Sequence, residues 1–256
     1  MRVPLPAAFL TTPLAHRAYH DRSLGRPENS RAAITAAIDA GYGIEIDLQL
    51  SSDGVPMVFH DESLDRLTTT NGLIKHQTAA NLGQTKLRDS DETIPTLQEI
   101  LDLVAGRTPL LIEIKDQTDT MSHTDGRLET AAAALLNSYK GPVAVMSFNP
   151  NSVAHMVRLA PKVPRGITTS AYDPANWAPL SPATCDHLRE IADYESTLSS
   201  FISHEAADLA RPRVAELKSH DAAILCWTIR SVQAEVEARK IAQNITFESY
   251  PAARSA

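Results

Sequence analysis

The chain has only two cysteines, Cys185 and Cys226, far apart and each at the edge of an apolar run. That argues against a disulfide framework or a CxxC metal knuckle and leaves two small buried hydrophobes as the expectation. No apolar run approaches the roughly 20 residues that cross a bilayer. The weakly apolar stretch from Val3 to Leu14 is broken by Pro4, Pro6 and Pro13, which makes a poor signal peptide. The expectation is a cytoplasmic, reduced, soluble protein with no stable membrane insertion. Positive charge is scarce as well. A formal charge of −7, a pI near 5.7 and the lack of a Lys/Arg cluster argue against nucleic acid and anionic membrane surfaces as partners. Nucleophile patterns are missing too: no GxSxG elbow, no cysteine with a plausible histidine partner, no HExxH helix. Attack by a substrate oxygen or by water is favoured over a covalent acyl-enzyme.

What is present is alternation. Short β-rich runs lie at 8–15, 43–50, 109–115, 142–148, 164–170, 197–202, 222–228 and 243–249. Between most of them stand segments with helical spacing, at 30–40, 95–105, 124–139, 150–160, 205–218 and 231–241, with a weaker candidate at 182–193. Ser30, Asn149 or Asn151, and Ser231 are candidate N-caps. Eight strands alternating with helices predict an α/β fold of the TIM-like (β/α)8 barrel type, one domain over 1–256. A doubly wound sheet is the alternative, but no glycine-rich phosphate loop follows the first strand. One interval breaks the rhythm. Ser51-Ser52-Asp53-Gly54 is a hairpin turn, and the chain returns along Val55 to Phe59. The polar, threonine-rich stretch that follows is expected to form a small insertion, 61–93, covering the barrel mouth.

The polar residues that carry chemistry fall where predicted strands end: His16-Arg17, Glu45-x-Asp47, His60-Asp61 and Glu113-x-Lys115. Glu45 and Asp47 stand two apart on a strand, so both project from one face. The Asp-Gly turn brings His60 back opposite them. Carboxylates without cysteine favour a hard, oxygen-seeking ion, Mg2+ or Ca2+, and Glu113 can supply a third oxygen. His16 and His60 can divide the work of base and acid at phosphorus. Arg17 and Lys115 would neutralise non-bridging phosphate oxygens. Phe148 and Trp227, at strand ends on the same side, could wall a pocket. The remaining seven of nine histidines read as structural.

At these residues the chain resembles the glycerophosphodiester phosphodiesterases. The matching pattern is His16-Arg17, Pro27-Glu28-Asn29, Glu45-Ile46-Asp47, the stretch Asp53 to Asp61 reading DGVPMVFHD, and Glu113-Ile114-Lys115. Weaker matches run through Leu64 to Thr69, Ile94 to Leu97, Ser147-Phe148 and Trp227-Thr228. The resemblance implies a TIM-like barrel, one divalent cation held by Glu45, Asp47 and Glu113, and hydrolysis of small glycerophosphodiesters to sn-glycerol 3-phosphate and an alcohol. It further implies an acid–base pair in His16 and His60, a phosphate grip by Arg17 and Lys115, support from Glu28 and Asn29, and attack by the glycerol 2-hydroxyl to give a cyclic phosphate. A role in lipid and glycerol metabolism follows from the same likeness. Two positions depart from the pattern. Ala18 stands where many members have glycine, and the last strand ends Phe247-Glu248-Ser249-Tyr250-Pro251 rather than in Thr-Asp before the aromatic; Glu248 has no assigned role.

The competing expectations are a lipid-headgroup phosphodiesterase that cleaves on the other side of phosphorus, and a barrel that binds phosphodiesters without turning them over. The histidine pair speaks against the second. Headgroup, Mg2+ against Ca2+, and oligomeric state stay open at this level.

Overall fold

The computed structural model describes residues 1–254. Among the described residues, eight parallel strands close into a barrel: β1 (Leu14–Ala15), β2 (Gly43–Leu50), β4 (Leu110–Ile114), β5 (Val143–Ser147), β6 (Arg165–Thr169), β7 (Phe201–Glu205), β8 (Ala223–Ile229) and β9 (Asn244–Phe247). A ninth, β3 (Pro56–Val58), runs antiparallel along β2, with Leu48 opposite Val58 and Leu50 opposite Pro56. β1 pairs with both β2 and β9, which shuts the cylinder. This is the TIM-like barrel that the alternation predicts.

Most helices begin where a short polar side chain can take an orphan backbone N–H. Ser30 caps α2 (Arg31–Asp39), and Thr96 with Glu99 forms a capping box on α4 (Leu97–Val104). Asn149 caps α6 (Pro150–Leu159), Ser181 caps α7 (Pro182–Arg189), and Ser231 caps α9 (Val232–Ala238). Helices α5 (Arg127–Leu136) and α8 (Pro212–Ser219) complete the outer ring. Outward residues of the strands, such as Ile44, Ile46 and Leu48, pack with Ile34, Leu97 and Leu101 of the helices.

Inside the barrel the alternation decides everything. On β2 the inward set is Gly43, Glu45 and Asp47, and the register places Glu45 beside Leu111 and Asp47 beside Glu113. The lower layer is apolar: Leu14, Leu111, Ala144, Phe201 and Leu225. Glycine is needed where a large neighbour fills that space. A Cβ on Gly166 would lie 2.5 Å from the Phe201 ring, and one on Gly43 would lie 2.6 Å from Leu14 Cδ2. The polar groups sit one or two steps further along each strand, at the C-terminal mouth.

Three expectations are corrected. Residues Ala8–Thr11 form a helical turn, α1, and not the start of a strand. Its Phe9 is fully buried in the barrel-floor cluster, and Asn244 Nδ2 donates to Phe9 O (2.8 Å) and Thr12 O (2.6 Å). The run predicted at 197–202 is displaced, with β7 at Phe201–Glu205. Thr197 Oγ1 donates to Asp193 O (2.7 Å) and Leu198 takes a left-handed φ of +51°, so this stretch is a turn. The helix expected over 205–218 is a short 3-10 turn at Ala206–Asp208 followed by α8.

Residues 61–93 hold the short helix α3 (Ala79–Leu82) and an apolar cluster of their own. Leu64, Leu67, Ile74, Leu82 and Leu87 gather there against Met57, Phe59 and Ile94. Both cysteines are buried and free, as their setting predicts. No helix among the described residues is long and apolar enough to cross a membrane.

Candidate active site

Three carboxylates meet at the mouth. Glu45, Asp47 and Glu113 each offer an oxygen within 4.8 Å of the others, and all three are buried. Burial, then Asp47 and Glu113, pushes the Glu45 carboxyl well above its ordinary range. Asp47 goes the other way: burial would raise it, but His60, Lys115 and Arg17 outweigh that and hold it low. Lys115 Nζ lies 2.8 Å from Glu113 Oε1 and 3.3 Å from Asp47 Oδ1. Its ammonium is held charged, since these two carboxylates overcome the effect of burial.

The donor set fits a hard divalent ion. Oxygens up to 4.8 Å apart can share a cation at bond lengths of about 2.0–2.6 Å. Backbone and amide donors already fix two of these carboxylates. Arg17 N donates to Glu45 Oε2 at 2.9 Å, and Asn29 Nδ2 donates to Asp47 Oδ2 at 2.9 Å. The first of these bonds depends on an unusual backbone. The loop after β1 runs through left-handed conformations at Arg17 and Ala18, with φ of +52° and +66°. That explains why the family pattern has glycine after its HR pair; the alanine methyl costs about 1–2 kcal/mol there.

The two histidines face the same space and are each held by a carboxylate. His16 Nδ1 is 2.5 Å from Glu248 Oε2, and His60 Nδ1 is 2.7 Å from Asp61 Oδ1. In both rings Nε2 is left free. Burial lowers the His16 pKa from its ordinary value, and the bond to Glu248 opposes this only in part. A neutral ring with Nδ1–H donated to Glu248 therefore presents a basic Nε2 at neutral pH.

Sequence reasoning assigned no role to several residues that organise this site. Glu248 also accepts from Arg230 Nε at 2.7 Å and lies 3.7 Å from His20 Nε2, a histidine read as structural. Arg66 is a clamp. It donates to both oxygens of Glu28 (2.8 Å each) and to both of Asp61 (2.6 and 2.8 Å). Glu28 in turn takes Arg17 NH1 at 2.9 Å, so one guanidinium ties the partner of Arg17 to the partner of His60. Glu248 and Asp61 both sit below the usual carboxylate range: burial works to raise them, and their histidine and arginine partners prevail.

Two cavities meet at these groups. The inner one, about 140 Å3, is lined by His16, Arg17, Glu45, Phe148, Thr168, Trp227, Arg230 and Thr246, among others. Phe148 and Trp227, predicted as pocket walls, both line it, with ring centroids 5.4 Å apart. Arg17 Nε, Thr168 Oγ1 and Thr246 Oγ1 are buried without a hydrogen-bond partner. The outer cavity, about 510 Å3, shares His60, Glu113, Lys115 and Phe148 with the inner one and adds Trp177, which the sequence did not mark.

Glu248 gives a test of this geometry. Glu248→Gln is expected to lower kcat on the order of 10²-fold, because the amide no longer holds Nδ1 as the donor. It should also move the acid limb of kcat/KM to lower pH. Burial still depresses the His16 pKa, and the partner that raised it is gone. A pH profile of the variant checks both; an unmoved acid limb would break the link from Glu248 to His16.

A closed parallel barrel with ionisable groups at the C-terminal ends of its strands places this protein among the (β/α)8 barrels whose chemistry sits at that face. The particular family follows from comparison. The sequence model of the glycerophosphoryl diester phosphodiesterase family matches residues 16–245, and the chain belongs to that family. A glycerophosphodiester phosphodiesterase from Bacillus altitudinis is 31% identical over 167 residues, 62% of this chain and 67% of that protein. One from Caldanaerobacter subterraneus subsp. tengcongensis is 30% identical over 164 residues, 61% of this chain and 66% of that protein. The match thus spans about two thirds of the length of these curated relatives. Among solved structures, an Oleispira antarctica phosphodiesterase in complex with the product sn-glycerol-3-phosphate superposes with a TM-score of 0.78 at 25% identity, covering 95% of each chain.

Proposed function

We propose that the protein hydrolyses glycerophosphodiesters to sn-glycerol 3-phosphate and an alcohol, with one divalent cation, Mg2+ or Ca2+, held by Glu45, Asp47 and Glu113. The observation that carries this is the placement of two carboxylate-bound histidines around a buried acidic trio flanked by Arg17 and Lys115. When bound, the cation supplies Lewis-acid stabilisation of charge on phosphate oxygen.

The chain's own groups do the rest. Three carboxylates face Arg17 and Lys115, an excess of one negative charge that a divalent ion reverses, leaving a site matched to a single phosphodiester anion. The glycerol end fits the inner cavity, where the unpartnered Thr168 and Thr246 hydroxyls can pair with its hydroxyls. A buried hydroxyl left unpaired costs about 1–3 kcal/mol, which a ligand hydroxyl relieves. Phe148 and Trp227 wall that space. Arg17 and Lys115 bind the non-bridging oxygens. His16 Nε2 takes the proton of the glycerol 2-hydroxyl as its oxygen attacks phosphorus, and His60 gives a proton to the departing alcohol oxygen. A cyclic phosphate remains. In the second half His60 removes a proton from water, His16 returns one to the 2-oxygen, and the ring opens. No protein nucleophile is required, in agreement with the missing nucleophile motifs. The segment 61–93 serves as a cap beside the mouth, contributing Arg66 to the clamp and Glu62 to the outer cavity.

The test is release of glycerol 3-phosphate from glycerophosphocholine and glycerophosphoglycerol with Mg2+, with Ca2+ and with EDTA. Metal-dependent release, abolished by EDTA, is expected. A folded protein that turns over neither diester with either metal would overturn the reading.

A further inference from the structure

The alcohol that leaves must pass His60, and beyond it lies the outer cavity of about 510 Å3. Its walls are of two kinds. One is aromatic and apolar. Trp177 packs 5.2 Å from Phe148 and 4.6 Å from Tyr172 (ring centroids), with Met121 and Leu180 beside them. The other is made of the carboxylates Glu62, Asp116 and Asp119.

These three carboxylates are not neutralised. Two of the cations nearby are committed elsewhere, Lys115 to Glu113 and Asp47 and Arg66 to Asp61 and Glu28, while Lys75 acts on Glu62 without forming an ion pair with it. Among the described residues, none of Glu62, Asp116 and Asp119 forms an ion pair with lysine or arginine. Asp116 is held by neutral donors only. Its oxygens accept from Thr118 N (3.1 Å), Asn149 Nδ2 (2.8 Å) and Met121 N (3.0 Å), which fix the carboxylate in place and leave its charge. Glu62 feels the result. Partial burial and then Asp119 push its carboxyl up, with Lys75 pulling the other way.

An aromatic face opposite uncompensated carboxylates is the chemistry that recognises an organic cation. A quaternary ammonium has no N–H to satisfy. It needs apolar contact around its methyl groups and a negative field, and both are present. A neutral polyol would leave its hydroxyls against Trp177 and Leu180, and an anionic headgroup would meet the carboxylates. The cavity also adjoins the site at the group assigned to protonate the leaving oxygen, so its occupant is the alcohol half of the diester.

We propose that the outer cavity selects diesters whose leaving alcohol carries a quaternary ammonium, a choline-type headgroup, over diesters with neutral polyol headgroups. This rests on the proposed function, in which glycerol occupies the inner cavity. The two fail in different ways. Loss of turnover on every diester would remove that reading, whereas turnover without discrimination would remove this one alone.

The experiment compares kcat/KM for glycerophosphocholine and glycerophosphoglycerol, which share the glycerol end and the phosphodiester. The wild-type ratio should favour choline by at least about tenfold. Trp177→Ala should reduce the ratio about three- to tenfold. Glu62→Gln together with Asp119→Asn, both exposed positions, should reduce it as well and weaken its dependence on salt. Because the readout is a ratio within one protein, a general loss of activity or a partly folded sample does not imitate the effect. A wild-type ratio near one, or a high ratio that both variants retain, would overturn the proposal.

Discussion

Replacing His16 with alanine is expected to lower kcat for glycerophosphodiester hydrolysis by about 10²–10⁴-fold and to leave KM within a few-fold. In the proposed site Arg17, Lys115 and the cation held by the acidic trio still bind the phosphate, so the loss should fall on proton transfer. His60→Ala is expected to lose a similar factor on a diester with an alkoxide leaving group. The two variants part company on a p-nitrophenyl diester. That leaving group departs without a proton, so His60→Ala recovers most of its rate, while His16→Ala, lacking the base, does not. Single-turnover release of the alcohol from the two substrate types decides the assignment, because opening the cyclic phosphate calls on His60 whatever the leaving group. Recovery in His16→Ala instead would reverse the two roles, and equal recovery in both variants would remove them.

The second large effect concerns the metal and can be read without activity. Wild-type protein should gain stability on adding Mg2+ by RT ln(1 + [M]/Kd), about 2.7 kcal/mol at a hundredfold excess over Kd. Glu45→Gln should lose most of that gain together with turnover. In EDTA the same variant should melt no lower than wild type. The Glu45 carboxylate is buried against Asp47 and Glu113, whose repulsion the amide removes, while an amide oxygen can still accept from Arg17 N. Calorimetry with metal and with EDTA separates the terms. A variant that keeps the full metal-induced shift would show that the ion sits elsewhere.

Much of this was legible in the chain itself. β2 falls at Gly43–Leu50, the run read from its apolar alternation, and Glu45 and Asp47 share the inward face that a period of two requires. Ser30, Asn149 and Ser231 cap the helices they precede. Such features depend on neighbours within a few residues, and the barrel places active groups at strand ends, where sequence patterns mark them. The carboxylate trio, both histidines, Arg17 and Lys115 could be named as candidates for that reason, and the fold brings them to one mouth.

Short runs were harder. Ala8–Thr11 is apolar and brief, and four such residues do not distinguish a helical turn from a strand; their place at the barrel floor does. At Phe201–Glu205 the inward Ser203 and the polar His204 and Glu205 mask a strand whose neighbours supply its burial.

Asp61 adjoins His60 in the chain, but two other partners, Glu248 and Arg66, lay beyond the sequence. Glu248 meets His16 across 232 residues because β1 pairs with β9, and Arg66 joins Glu28 to Asp61 because the segment after β3 folds back on the loop after β1. Trp177 reaches the mouth from a loop with no periodicity, through contacts with Phe148 and Tyr172. The alternation of β2, the helix caps and the candidate site residues were readable from the chain alone, since these are local properties. Closure of the barrel decided that Glu248 orients His16, because that hydrogen bond exists only once the first and last strands have met, and tertiary packing decided what lines the outer cavity.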